Sequence, residues 1–178
     1  MTGRTHLVGG FLSAEILLKA SIQGDFGMPA LSVFQVAVIT SLCLFGSVFP
    51  DIDINSSKIG STVKPLSTLI NKTIGHRTLF HSPLLYGVLL FLSYRFLPES
   101  FLYMLGFTVG AFSHLALDFF NPVGISLFWP IPMRFWLFGV KTGTRNEVGV
   151  VGVLWTLIIV CGVQIAVSIF SSVLQGVM

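Results

Sequence analysis

Residues 148–174, VGVVGVLWTLIIVCGVQIAVSIFSSVL, pass 27 positions without a charged side chain, and this stretch decides the class of fold. Wound at 1.5 Å per residue, it makes a helix about 40 Å long, more than the hydrocarbon core of a bilayer requires. Two further stretches are of the same kind. Residues 30–49 carry no charge, and residues 101–120 carry only Asp118 together with His114. Two shorter ones, 7–22 with Glu15 and Lys19 and 83–97 with Arg95 near its end, can span only if tilted or sheltered, the arginine by snorkelling to the interface. The rest of the chain agrees: 53% of the 178 residues are hydrophobic and 10% charged, against roughly 25% charged in an ordinary soluble domain. Mean hydropathy is +0.88. This composition excludes a soluble enzyme, a disordered tail and a nucleic-acid module. It predicts an all-α polytopic membrane bundle of about five transmembrane helices, folded as one domain over residues 1–178.

The punctuation fits that parse. Gly24, Gly27 and Pro29 separate the first two segments, Pro50 stops the second, and Ser82-Pro83 reads as an N-cap with proline in the first turn. Pro98 and Asn121-Pro122 close the next two. No small-residue cleavage site follows residues 7–22, so they are expected to be a retained helix rather than a signal peptide. Residues 125–140 are apolar and aromatic but interrupted by Pro130 and Pro132, the pattern of a re-entrant or interfacial stretch. Cys43 and Cys161 both fall inside apolar runs, which excludes a disulfide framework or a paired-cysteine metal knuckle. Gly106 and Gly110, four apart, and Gly9-Gly10 suit close helix packing.

Five spans place the N-terminus and the two long loops, 50–82 and 121–147, on one side. That side holds Arg4, Lys58, Lys64, Lys72, Arg77, Arg134, Lys141 and Arg145, while Lys19 and Arg95 lie towards the other. The excess predicts that the loop-bearing side is cytoplasmic and that the chain sits in the inner membrane as a multi-pass protein.

Ionisable groups at membrane depth are costly, and here they gather at that same end. His6 opens the first helix, Asp51 and Asp53 follow the second, His76 and His81 precede the third, and His114 and Asp118 occupy the last turns of the fourth. His114 and Asp118, four apart, share a helix face and could ligate one metal. A buried histidine bonded to an aspartate one turn away would need none. Asp51 and Asp53 flank Ile52 in what reads as an extended stretch, so both carboxylates point the same way and repel unless a cation lies between them. His76 and His81, five apart, would diverge by roughly 140° on a helix, so at least one lies off it. His81, next to the cap, is the better ligand, and His76 suits contact with substrate or a place behind the ligands. Arg77 between them suits a phosphate oxyanion. Mixed imidazole and carboxylate donors favour Zn²⁺, one or two ions, with Mn²⁺ or Fe²⁺ as alternatives. Glu15 lies about 180° round its helix from His6 and is expected to hydrogen-bond a neighbouring helix.

His6, Pro50-Asp51-Ile52-Asp53, His76-Arg77-Thr78-Leu79-Phe80-His81-Ser82, and His114-Leu115-Ala116-Leu117-Asp118 followed by Asn121-Pro122-Val123-Gly124 resemble the YdjM-type membrane-bound metal-dependent hydrolases. The likeness covers roughly residues 1–130. The order of these residues is also distantly similar to that of the zinc-dependent phospholipase C and P1 nuclease group. That resemblance implies a metal on Asp53 or Asp51, His81 or His76, His114 and Asp118, with His6 near a second metal sharing Asp118. No histidine follows His114, so only Glu147 could stand for the later ligands of that group.

The reading that follows is a hydrolase that uses metal-activated water on a lipid ester, foremost a phosphoester. The Asp51 or Asp53 carboxylate left off the metal would take the proton, and Arg77 with Lys64 or Arg145 would stabilise developing charge. Membrane lipids are the expected partners, and nucleic acid is not. A metal transporter and a protein with a purely structural metal are the competing expectations.

Overall fold

In the computed structural model, which describes residues 1–75 and 77–177, short-range capping sets where the helices begin. Thr2 caps α1 (Gly3–Gln23), its hydroxyl accepting from the Thr5 N–H. Gly24 ends α1 in the left-handed conformation, φ 70°, where its N–H reaches the last carbonyls. Ser32 and Gln35 form a reciprocal capping box at the start of α2 (Val33–Val48). A 3₁₀ turn, Phe49–Asp53, follows with Pro50 at its start. Two short helices, α3 (Lys58–Thr62) and α4 (Lys64–Thr73), occupy the long first loop; Ser57 caps α3, and Pro65 stands in the first turn of α4. As the sequence predicts, Ser82 caps α5 (Pro83–Phe96), accepting from the Leu84 N–H. The fold ends with α6 (Phe101–Phe119) and α7 (Arg145–Val177).

The chain is all-helical among the described residues, apart from one isolated antiparallel bridge between Ile125 and Phe135. Helices α2 and α6 form the central pair; α1 packs against both and against α7, and α5 lies on α6. The pair can approach because both facing surfaces carry glycine. A Cβ at Gly46 would land on the Phe107 carbonyl, and one at Gly110 on the Cys43 carbonyl. Around this contact lie Tyr86, Ala111 and Leu115 on one side and Ala14, Ile39 and Cys43 on the other, all buried.

Outward, α7 presents Val153, Ile159, Val163, Val167 and Phe170, each about 60% exposed, an apolar surface that a soluble monomer would not leave in water. Among the described residues, three helices are long and apolar enough to cross a membrane: Val33–Asp53, Pro98–Phe119 and Arg145–Val173. Three of the five expected spans meet that measure, whereas α5 has 14 residues and α1 carries Arg4, His6, Glu15 and Lys19. Helix starts also move, that of α2 from residue 30 to Val33 behind its Ser32 cap. Helix α1 begins at Gly3 rather than residue 7 because Thr2 caps it. Helix α7 begins at Arg145 rather than residue 148 because Glu147 is held by the Thr2 and Gly143 N–H groups and the Thr5 hydroxyl, each 2.6 Å away. Segment 125–140 is irregular and hangs from the end of α6, with Leu137 and Val140 N–H groups donating to the Phe119 and Phe120 carbonyls. Phe128, Ile131, Trp136 and Phe138 stay exposed along it.

Candidate metal centre

Four separate segments carry ionisable side chains into one buried knot at the end of this bundle. The first turn of α1 delivers His6, the 3₁₀ turn after α2 delivers Asp51 and Asp53, and a second 3₁₀ turn, Leu79–His81, delivers His81 just ahead of α5. His114 and Asp118, one turn apart on α6, complete it, both fully buried. Donor atoms of His6, Asp51 and His114 lie within 4.8 Å of one another, as do those of His81, His114 and Asp118.

The individual separations are wider than ordinary hydrogen bonds and compatible with ligands of one ion. His114 Nε2 lies 3.7 Å from Asp51 Oδ1 and 3.7 Å from Asp118 Oδ2; His81 Nε2 is 3.7 Å from the same two oxygens, and His6 Nε2 is 3.4 Å from Asp118 Oδ1. These gaps exceed a hydrogen bond of about 2.7–3.2 Å. Two ligands each about 2.1 Å from an ion and set at a tetrahedral angle stand about 3.4 Å apart. The residues present therefore fit a divalent cation.

The proton arrangement fits as well. His114 Nδ1 lies 2.8 Å from the Ser47 carbonyl, which only accepts, so Nδ1 carries the hydrogen and Nε2 offers its lone pair to the knot. The His6 and His114 rings stack with centroids 3.6 Å apart. Both ring nitrogens of His6, and Nε2 of His114, are buried without a hydrogen-bond partner among the described residues. Each such orphan costs about 1–3 kcal/mol, a cost that a bound cation would remove at one nitrogen of each ring. Burial disfavours the charged form of His81, but Asp51 and Asp53 outweigh it and raise the pKa above that of an ordinary histidine.

Asp51 and Asp53 separate, against the expectation of a shared direction. The turn that holds them is 3₁₀ and not extended; with three residues per turn, positions two apart diverge by about 120°. Asp51 faces His114 and His81. Asp53 stands behind His81, its Oδ2 3.6 Å from Nδ1 and accepting from the Arg77 N–H at 2.8 Å. Arg77 is turned inward: its backbone takes φ 55°, one terminal nitrogen lies 2.7 Å from Asp118 Oδ2, and the other donates to the Gly124 carbonyl. The Met1 amine lies 2.5 Å from Asp118 Oδ1. His76 lies outside the described residues. Lys64 and Arg145 are exposed, and Glu147, its oxygens filled by three donors, stands outside both donor groups. Glu15 does not make the expected bond to a neighbouring helix: its Oε2 is buried with no partner among the described residues, while Lys19 reaches Gln164.

Three supports escaped sequence reading. The Ser47 carbonyl fixes the His114 tautomer. Ser126 donates to the Arg77 carbonyl at 2.7 Å. Gly124 takes φ 69°, where a Cβ would also collide with the Phe135 backbone; only this last had a visible signal, the turn-forming Asn121-Pro122-Val123-Gly124.

The family description "YdjM inner membrane protein" matches residues 1–174. The chain belongs to the YdjM inner membrane protein family. It is 34% identical over 148 residues to the uncharacterized protein YvsG of Bacillus subtilis strain 168, spanning 83% of this chain and 85% of that one. It is also 31% identical over 144 residues to the inner membrane protein YdjM of Escherichia coli K12, spanning 76% and 68% of the two chains, with the same figures for the YdjM protein of Shigella flexneri. No solved structure matches. The YdjM family thus places the protein in a membrane, in agreement with its apolar helices.

Proposed function

We propose that this YdjM-family protein is a metal-dependent hydrolase of the inner membrane, acting on an ester, foremost a phosphoester, of a lipid at the cytoplasmic leaflet. The observation that carries the reading is the convergence of His6, Asp51, His81, His114 and Asp118 at donor separations of 3.4–3.7 Å. Their order along the chain, similar to that of zinc-dependent phospholipases, supports it. So does the cation distribution: with Arg77 buried, seven Lys or Arg side chains still belong to the segments at the donor end against two at the other. In this reading α1 and α5 cross the bilayer in tilted or sheltered form beside the three longer helices.

Either donor group, His6 with Asp51 and His114 or His81 with His114 and Asp118, would hold one ion. Both donor groups use His114, and its Nδ1 is already spent on Ser47, so Nε2 can serve only one position. Two histidines with one carboxylate suit Zn²⁺ in hydrolytic sites, and Mn²⁺ or Fe²⁺ also fit such donors. When bound, such an ion supplies water activated near neutral pH and polarises an ester or phosphoryl oxygen. Asp51 has the only partly open side chain of the five, 16% exposed against 0–1% for the others, so its second oxygen is the one placed to take a proton from incoming water. Asp53 orients His81, and Arg77 holds Asp118 while balancing its charge.

Elemental analysis of detergent-purified protein should find about one metal per chain, lost in the His114→Ala/Asp118→Ala double variant, with phospholipid or phosphoester turnover lost in parallel. An unchanged metal content in that variant refutes the site. The near-total burial favours one second reading, an ion that only locks the bundle end. Metal present, no turnover on any ester and a fall in Tm on chelation would establish it, whereas metal flux in proteoliposomes without hydrolysis would make the protein a transporter.

A further inference from the structure

One sizeable cavity does not open on the donor knot. It lies on the outer side of the same α1 turn, between α1 and the start of α7, with a volume of about 490 Å³. Its floor is apolar, from Val8, Val148, Val151 and Trp155, and its rim is Arg4 with the Gly143–Thr144 turn. Thr5 lines this groove while its neighbour His6 points into the knot, as adjacent residues on a helix project about 100° apart.

The rim is basic and the one acid on it is used up. Arg4 is exposed, with no acidic partner among the described residues, and exposed Lys141 and Arg145 flank Gly143 and Thr144 in sequence. Glu147 spends Oε1 on the Thr2 N–H and Thr5 hydroxyl and Oε2 on the Gly143 N–H. The groove's length is also informative. From Arg145 to Trp155 is ten helical residues, about 15 Å, which is half of the roughly 30 Å hydrocarbon core and so the depth of one leaflet.

We propose that this groove binds one anionic phospholipid, its phosphate at Arg4 and one acyl chain along Val148, Val151 and Trp155. The site needs only that α7 lies in the bilayer; it stands whether or not the donor knot hydrolyses anything. A zwitterionic lipid carries the same phosphate but also an ammonium group that the basic rim repels, so net headgroup charge is the discriminating property.

The test uses Trp155 as a reporter. In a Trp129→Phe/Trp136→Phe background it is the sole tryptophan, since the chain has three. The protein is reconstituted into phosphatidylcholine vesicles containing a minor fraction of brominated phosphatidylglycerol or brominated phosphatidylcholine. The anionic quencher should act severalfold more strongly at equal mole fraction. Arg4→Gln should bring that ratio close to one, and Arg4→Lys should keep most of it. Equal quenching by both lipids, or a preference that survives Arg4→Gln, overturns the proposal. Metal content measured on the same samples reports the donor knot separately, so failure of the groove and failure of the hydrolase reading are distinguishable.

Discussion

The two ends of the bundle treat charge in opposite ways. At the far end, Asp25, Arg95 and Glu99 sit exposed beside open turns, and Phe26 projects fully, 100% exposed. At the near end His6, Asp53, Arg77, His81, His114 and Asp118 are buried together. Burying an ion is tolerable only when its partners come with it, and removing one partner is then more damaging than never having built the pair. The far end can change with little consequence, while the near end is a single unit held by opposite charges and, in our reading, by a cation.

The comparison breaks most sharply at Asp118. Asp118→Ala removes a donor, leaves the Arg77 guanidinium buried with, among the described residues, only the Gly124 carbonyl, and strips the Met1 amine of its carboxylate. The expected loss is about 3–5 kcal/mol, read as a large drop in unfolding midpoint in detergent, together with loss of metal. A variant as stable as wild type would show that the near end is not a charge-coupled unit.

Next in size is the seam that carries both ends. A methyl at Gly110 meets the Cys43 carbonyl, so Gly110→Ala must push α2 and α6 apart. Overpacking of this kind costs about 1–3 kcal/mol. Because α6 carries His114 and Asp118 and α2 leads into Asp51, spreading the seam should weaken metal retention as well as stability. Retention unchanged at reduced Tm would mean that the knot is positioned by its own turns alone.

Those turns are where sequence reading stopped. Helix periodicity exposes His114 and Asp118 as a pair, and the Ser82-Pro83 cap fixes where α5 begins, so His81 is legible just ahead of it. The division of labour between Asp51 and Asp53 is not legible, because it depends on whether the chain after Pro50 is extended or 3₁₀, and proline permits both. Arg77 was read as facing substrate. Its inward turn depends on the Gly124 carbonyl 47 positions away and on a left-handed φ that nothing local dictates. Helices α3 and α4 had signals, the Ser57 cap and Pro65, but they are short and lack an apolar run long enough to stand out.

Asp53→Asn sharpens the comparison within the near end. It keeps the acceptor for the Arg77 N–H but removes the charge behind His81. Partners of that kind contribute about 10–100-fold in metal affinity, so retention under chelator competition should fall by that factor while the fold persists. Asp51 and Asp53 together raise the His81 pKa, and a proton there competes with metal. Metal loading of wild type should therefore fail as pH falls through that raised value. In Asp53→Asn the loss on acidification should begin at a lower pH, even though affinity at higher pH is reduced. The same acid limit in both proteins would dissociate Asp53 from His81.

The smallest effect belongs to the far end. Phe26 holds φ 55° between Gly24 and Gly27, a conformation that costs a residue with a Cβ about 1–2 kcal/mol relative to glycine. Its ring is fully exposed, so Phe26→Gly loses no buried contact. Relief of backbone strain is opposed by the greater freedom of glycine in the unfolded chain, about 0.5–1 kcal/mol. The net change in stability should fall within about 1 kcal/mol of zero, with metal content untouched. A loss of metal in Phe26→Gly would mean that the far turn communicates with the knot through α1, whose last residue precedes Gly24 and whose first turn carries His6. The contrast between the two ends would then be one of exposure alone, and not of energetic independence.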